Sequence, residues 1–170
     1  MSETPVTLRP AAPEDAPQIL NFIRELADYE QLLHEVTADL EDIRRTLFGP
    51  RPEAEVVIAE TNGAAVGFAL YHAMYSTFLA RSGLYLEDLY VQPAFRGRGI
   101  GRALLVHLAQ LAVAGGHGRL DWSCLRWNEP SLAFYRALGA QEMEDWTRLR
   151  LAGDALEALA RQAPAPKPRG

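Results

Sequence analysis

The stretch Tyr85–Gly101, YLEDLYVQPAFRGRGIG, constrains the fold more than any other part of the chain. Tyr85 to Val91 is short and rich in aliphatic and aromatic side chains, and Pro93 closes it, so it reads as a strand from a sheet interior. RGRGIG follows with glycine at alternate positions, Gly97, Gly99 and Gly101. A helical repeat begins at once with Ile100, Leu104, Leu105, Leu108, Leu111 and Ala112. The first amides of such a helix lack intrahelical partners, and its dipole places partial positive charge on them, so the junction suits a phosphate or pyrophosphate. Arg96, Arg98 and Arg102 crowd the same end, where each cation costs up to about 1 kcal/mol against the dipole. A bound anion would offset that cost.

From the N-terminus, Val6 to Leu8 suits a short strand, and Pro13 opens a helix with Glu14 and Asp15 in its first turn and Ile19, Phe22, Ile23 and Leu26 as its apolar stripe. A second helix is expected from Thr37 as cap, with Asp39, Glu41 and Asp42 early, Arg44 and Arg45 late, and Gly49-Pro50 as its stop. Glu55–Glu60 and Ala65–Tyr71 read as strands joined at Asn62-Gly63, a dipeptide suited to a tight hairpin. His72–Gly83 reads as an irregular connection. After the Ile100 helix, Gly115-Gly116 caps and Arg119–Leu125 supplies a strand, which implies a parallel crossover. Asn128 or a neighbour opens a further helix ending at Gly139; Trp146–Leu151 alternates as a last strand and Asp154–Arg161 as a short helix. The fold class that results is α+β, a layered arrangement with a mixed central sheet and helices on both faces.

The length of 170 residues fits a single domain, expected over 1–162, with a disordered tail APAPKPRG at 163–170. A formal net charge of -5 argues against a nucleic-acid partner, because a phosphate backbone calls for a basic face. Cys124 is the sole cysteine, so an intrachain disulfide and cysteine-rich zinc motifs are excluded, and His34, His72, His107 and His117 show no ligand spacing. No metal is expected. With no apolar run long enough for a membrane span and no signal pattern at MSETPVTLRP, the expected location is the cytoplasm, away from membranes.

RGRGIG lacks the Gly-Lys-Ser/Thr ending of a nucleoside-triphosphate loop, and the third glycine of a dinucleotide fingerprint would fall on Arg102. It does match Gln/Arg-x-x-Gly-x-Gly/Ala, through Arg96, Gly99 and Gly101, and in this it resembles the pyrophosphate loop of the GNAT N-acetyltransferases. The resemblance extends to YLEDLYV before the loop, to WNEPSLAFYRALGA (Trp127–Ala140) after it, and to LRPAAPEDAPQILNFIRELADYE near the N-terminus. Together these are similar to the diamine, spermidine and thialysine N-acetyltransferase branch, over about Leu8 to Leu151.

The resemblance implies acetyl-CoA as co-substrate and a small primary amine as acceptor: a diamine, a polyamine, or a lysine- or thialysine-like amino acid. It places Leu89, Tyr90, Val91, Arg96, Gly97, Arg98, Gly99, Ile100, Gly101, Arg102 and Asn128 around the CoA, and Tyr29, Glu30, Glu87, Asp121, Trp122 and Ser123 around the amine. It also implies a homodimer. Transfer from a thioester needs a neutral amine, yet an alkyl ammonium has a pKa of about 10.4, so a proton must leave first. Strand alternation sends Glu87 and Asp88 to opposite faces, so only one can line a cleft, and the resemblance favours Glu87 as the base. Tyr135 matches the family's tyrosine; a phenol with a pKa of about 10 holds a proton at neutral pH and can hand it to the departing sulfur. Phe78 falls close to a tryptophan of some polyamine-acetylating relatives, and the Ser76–Ser82 loop differs from theirs, so the particular amine is left open.

Other readings of the same residues stay open. Glu87 can be a structural carboxylate, Tyr135 a core aromatic, and Tyr29 with Glu30 a plain helix end. Cys124 reads as a small hydrophobe rather than a nucleophile, and the tryptophans as packing, with Trp122 also suited to wall an amine channel. A protein or peptide N-acetyltransferase of the same fold, or a non-catalytic acyl-CoA-binding module, would share the loop.

Overall fold

The computed structural model describes residues 5–162, and the expected tail at 163–170 lies outside them. A five-stranded sheet runs in the order β1 (Val6–Pro10), β2 (Glu55–Thr61), β3 (Ala64–Ser76), β4 (Arg81–Val91), β5 (Leu120–Trp122). The first four strands are antiparallel to their neighbours, and β5 lies parallel to β4. This is the expected mixed sheet with one late crossover. The chain divides into two compact units, Met1–Trp127, which holds the sheet, and Asn128–Gly170.

A 3-10 turn at Pro13–Asp15 leads into α1 (Ala16–Tyr29), and α2 (Leu40–Phe48) follows. Asp39, not Thr37, caps α2. Its carboxylate accepts the Asp42 amide at 2.9 Å while the Asp42 carboxylate accepts the Asp39 amide at 3.2 Å, a reciprocal pair that also sets negative charge on the helix dipole. Ile19 and Phe22 of α1 and Ile43 of α2 pack on Val56, Ile58, Phe68 and Tyr90, and Phe22 stacks on Phe68 at 5.5 Å between ring centroids. Each large side chain buried in this way contributes about 1.5–3 kcal/mol. Strand alternation sends the buried Val57, Ala59 and Ala69 to the other face, which α3 (Ile100–Ala114) covers with Leu104, Leu105 and Leu108. Helices therefore lie on both faces of the sheet. Arg9 fastens the first strand by pairing with Asp15 at 2.6 Å and Glu60 at 2.7 Å, which holds the Asp15 carboxyl below its ordinary range.

The Asn62-Gly63 hairpin forms with both residues at positive φ, 52° and 73°. His72–Gly83, expected as an irregular connection, is instead a long hairpin. β3 continues to Ser76 and β4 starts at Arg81, with Tyr75 opposite Ser82 and a turn at 77–80. Its tip projects from the core, Phe78 being 86% exposed, so no in-out alternation marks it in the sequence. The strand expected at Arg119–Leu125 contracts to Leu120–Trp122. No strand forms at 146–151, where Trp146, Leu149 and Leu151 stand exposed. Alternation expresses a preference that only a neighbouring ladder converts into a strand. In the second unit, α4 (Glu129–Ala137) is capped by Asn128, whose Oδ1 accepts the Ser131 amide at 3.4 Å, and is ended by Gly139 at φ +90°; α5 spans Gly153–Ala160. Among the described residues, no helix is long and apolar enough to cross a membrane.

Candidate active site

The register of β4 against β3 slips by one residue at Glu87. Leu70 faces Asp88, while Tyr71 faces Leu86, so Glu87 is the extra residue of a β-bulge. The bulge overturns the expectation that Glu87 and Asp88 take opposite faces. Asp88 keeps the parity of Tyr90, whose ring packs among the α1 residues, and His72 keeps that of Phe68 and Leu70 on the same face. Glu87 Oε2 lies 3.8 Å from His72 Nε2, so both neighbouring carboxylates serve the α1 face. Strict alternation fails here because an inserted residue adds half a period to the strand.

A third carboxylate joins them from the end of α1. Glu30 is half-buried at the helix C-cap, and burial raises its carboxyl above the ordinary value. Asp88 is pushed up to about 6, first by burial and then by the negative charges of Glu87 and Glu30. Three acids whose fields overlap suit a cationic ligand, which would relieve their mutual repulsion. Next to them, the Tyr29 ring lies 6.1 Å from that of Trp127 and 4.9 Å from the Arg96 guanidinium carbon.

The bulge also resets the backbone. The Gln92 amide donates to the Val66 carbonyl on β3 at 2.9 Å, so by alternation the Leu89 and Val91 amides point to the opposite side. β5 pairs with β4 only at Leu84–Leu86, which leaves that side of Leu89–Val91 outside the ladder. The Leu89 and Val91 amides therefore face a side of β4 that the ladder with β5 does not reach. Tyr90, also expected around the CoA, points its ring into the core, 5% exposed, and by the same alternation its amide and carbonyl face β3 rather than the free edge.

The glycine loop runs from Arg96 into α3. Gly97 and Gly99 take left-handed φ of 74° and 78°, Gly99 is the N-cap, and a Cβ on either would meet nothing within 4 Å. An open cradle of amides at a helix N-terminus is what a pyrophosphate needs, so the residues present fit CoA. Ile100 anchors the loop with a side chain that is 2% exposed, and Gly101 and the exposed Arg102 complete the first turn. Arg98 donates to the Ala94 carbonyl at 3.1 Å. The Arg96 Nε donates to the Val91 carbonyl at 2.9 Å, with its guanidinium beside Tyr29 and Tyr90. Arg96 thus ties the loop to the end of α1, and a cleft of about 610 Å³ opens there between Glu25, Asp28, Tyr29, Tyr90, Gln92 and Arg96.

Asp121 of β5 pairs with Arg119 at 2.7 Å, which leaves it less negative toward a ligand than the bulge acids. Trp122 stands opposite Leu86, and Ser123 Oγ meets the Tyr85 hydroxyl at 2.7 Å. Asn128 and Tyr135 belong to the second unit. There Asn128 is buried as the α4 cap, and Tyr135 is half-buried with its ring against Phe134 at 5.3 Å. Asp88 and His72 are the residues that sequence reasoning missed. Only the pairing of an unexpectedly long β3 with a bulged β4 brings them to the site, and nothing local to either residue signals it.

The sequence profile of the acetyltransferase (GNAT) family matches residues 19–140, which span the carboxylate bulge, the glycine loop and α4. The chain belongs to the GNAT acetyltransferase family. It is 38% identical over 166 residues to a thialysine N-epsilon-acetyltransferase from Bos taurus, an alignment covering 91% of this chain and 97% of that protein. An L-ornithine N5-acetyltransferase from Arabidopsis thaliana is 38% identical over 126 residues, 74% of this chain and 52% of the plant protein. The solved structure of an integron cassette protein from V. cholerae superimposes with a TM-score of 0.78 at 26% identity, over 92% of this GNAT chain and 98% of that one. The acetyltransferase fold expected from the glycine loop and its flanks is the fold that forms.

Proposed function

We propose that this GNAT enzyme moves acetyl from acetyl-CoA directly to a primary amine of a small molecule: a diamine, a polyamine, or a lysine- or thialysine-like amino acid. The observation that carries the reading is the convergence of Glu30, Glu87 and Asp88 on one face beside the unpaired edge of β4. A small cation is attracted by that charge, and the free edge lies one residue away. The similarity to enzymes named for thialysine and ornithine supports the same class of acceptor.

Acetyl-CoA supplies the activated thioester. The Leu89 and Val91 amides hold its carbonyl and pantetheine amides, the amides of Gly97, Gly99, Ile100 and Gly101 with Arg98 and Arg102 hold its pyrophosphate, and Asn128 binds the pantetheine arm. Arg96 positions the loop. Glu87, directly or through a water, takes the proton of the ammonium, and Asp88, Glu30 and Tyr29 hold the cation before that transfer. Tyr135 gives its phenolic proton to the sulfur and recovers one from the acylated nitrogen. In total one proton reaches solvent and one ends on the thiol. Turnover unchanged in Tyr135→Phe would move the proton donor elsewhere.

The test is thiol release from acetyl-CoA with putrescine, spermidine, lysine, thialysine, ornithine and a short N-terminal peptide at matched concentration. Preference for one of the small amines supports the reading. Preference for the peptide would make this a protein acetyltransferase, and silence with all of them while acetyl-CoA still raises Tm would leave a CoA-binding module.

A further inference from the structure

Beside the acids of the bulge stands a base that the reaction as drawn does not use. His72 lies on β3 directly opposite Tyr85 of β4, its ring 5.4 Å from the tyrosine ring, and its two nitrogens have different neighbours. Nδ1 is 3.2 Å from the Ala73 carbonyl, and Nε2 is 3.8 Å from Glu87 Oε2. A carbonyl oxygen can only accept, so Nδ1 must carry the hydrogen. In the neutral ring that leaves Nε2 with a lone pair turned toward the Glu87 carboxyl. The 3.8 Å gap is within reach of a small rotation of the half-exposed Glu87 side chain or of one bridging water.

We propose that His72 takes the amine's proton onward from Glu87, its Nε2 accepting from the Glu87 carboxyl and its partly exposed ring releasing the proton to solvent. The inference rests on the reading of Glu87 as the base. The ammonium N–H bond breaks as an O–H bond forms on Glu87. That O–H bond then breaks as an N–H bond forms at Nε2, and the imidazolium sheds the proton outward. Nothing is oxidised or reduced, and the single proton released per turnover leaves by this route.

The titratable groups near His72 come from β2, β3 and β4. From β4 it faces Glu87 and Tyr85, with Asp88 one residue further on, and it is Asp88 that feels the charge of Glu30 from the end of α1. Toward β2 the pairing ends at Glu55 opposite Tyr71, one residue before His72, and that glutamate is engaged by the Tyr71 hydroxyl at 3.3 Å. The ring removes the proton from the side of the bulge where the next ammonium must bind, so Glu87 returns to its anionic form before the next encounter. His72 acts through Glu87 and touches no reacting atom, which makes it a positioning residue for the proton.

The experiment compares wild type, His72→Gln, Glu87→Gln and the double variant in steady-state transfer to the preferred small amine, with and without added imidazole. The expected result is a fall in kcat of about tenfold for His72→Gln with KM for the amine held, partial recovery with imidazole, and no further loss in the double variant beyond Glu87→Gln. Nitrogen-15 shifts of the neutral ring should report the Nδ1–H tautomer. An unchanged kcat, a loss confined to KM, a lack of imidazole rescue, losses that add in the double variant, or an Nε2–H tautomer would each overturn the relay. These outcomes leave amine acetylation standing if wild type turns over; a silent wild type overturns the function and the relay together.

Discussion

At Asp88 the fold holds a carboxyl whose ionisation opposes folding. Its value of about 6 lies above the ordinary 3.8, because burial and the charges of Glu87 and Glu30 favour the protonated form. The folded chain therefore binds this proton more tightly than the unfolded chain. The favourable contribution is complete below about pH 4, declines as pH rises toward 6, and is absent at neutral pH. Asp88→Asn should leave stability near that of wild type at pH 4 and exceed it by up to about 2 kcal/mol at pH 7.5, as urea unfolding would show. A difference independent of pH would remove the electrostatic account. On the proposed function, an ammonium at the same place would have the same relieving effect, and a cost in stability would become affinity for the amine. The resemblance carried by YLED points to Glu87, whereas alternation puts Asp88 on the wrong face because it is a rule for unbroken ladders.

The elements read best from the sequence are those whose signals are local. Asn62-Gly63 marks its hairpin, Pro93 ends β4, Gly99 starts α3, and Asn128 with Gly139 brackets α4, each through a backbone angle or a cap that the residue itself prefers. Features set by pairing were not legible. The bulge is a property of two strands in register, the short β5 is set by a ladder with β4 that ends at Leu86, and the missing strand at 146–151 lacks a ladder although WTRLRL alternates. The glycine loop allows a sharp test at this scale. Gly99 sits at φ +78° and its Cβ position is open space, so Gly99→Ala carries backbone strain of about 1–2 kcal/mol without a clash. Tm should fall by the few degrees that strain implies. KM for acetyl-CoA should rise about tenfold, because the methyl occupies the cradle of amides. A variant with the same loss of Tm and an unaltered KM would show that the loop is structural only.

At the scale of the whole molecule, the sheet of the first unit works as a device for leaving one edge unsatisfied. β4 is held on one side by β3 along its length and on the other by β5 for three residues, and the bulge sits where that support stops. α1 brings Glu30 and Tyr29 to the same face, and α3 aims its N-terminus from the loop that follows. The family and the mixed sheet could be read from motifs that follow one another along the chain. The assembly of the acids could not, because Glu30 and the bulge residues Glu87 and Asp88, whose charges act on one another, lie far apart in sequence. The central claim, that the bulge carboxylate Glu87 deprotonates the acceptor, is tested most directly by the pH dependence of kcat/KM for a small amine in wild type and Glu87→Gln. The account predicts a loss of about 10²-fold at pH 7 that narrows as pH approaches the ammonium's own pKa of about 10.4, where the amine no longer needs a base. Two profiles that superimpose across the range would contradict it.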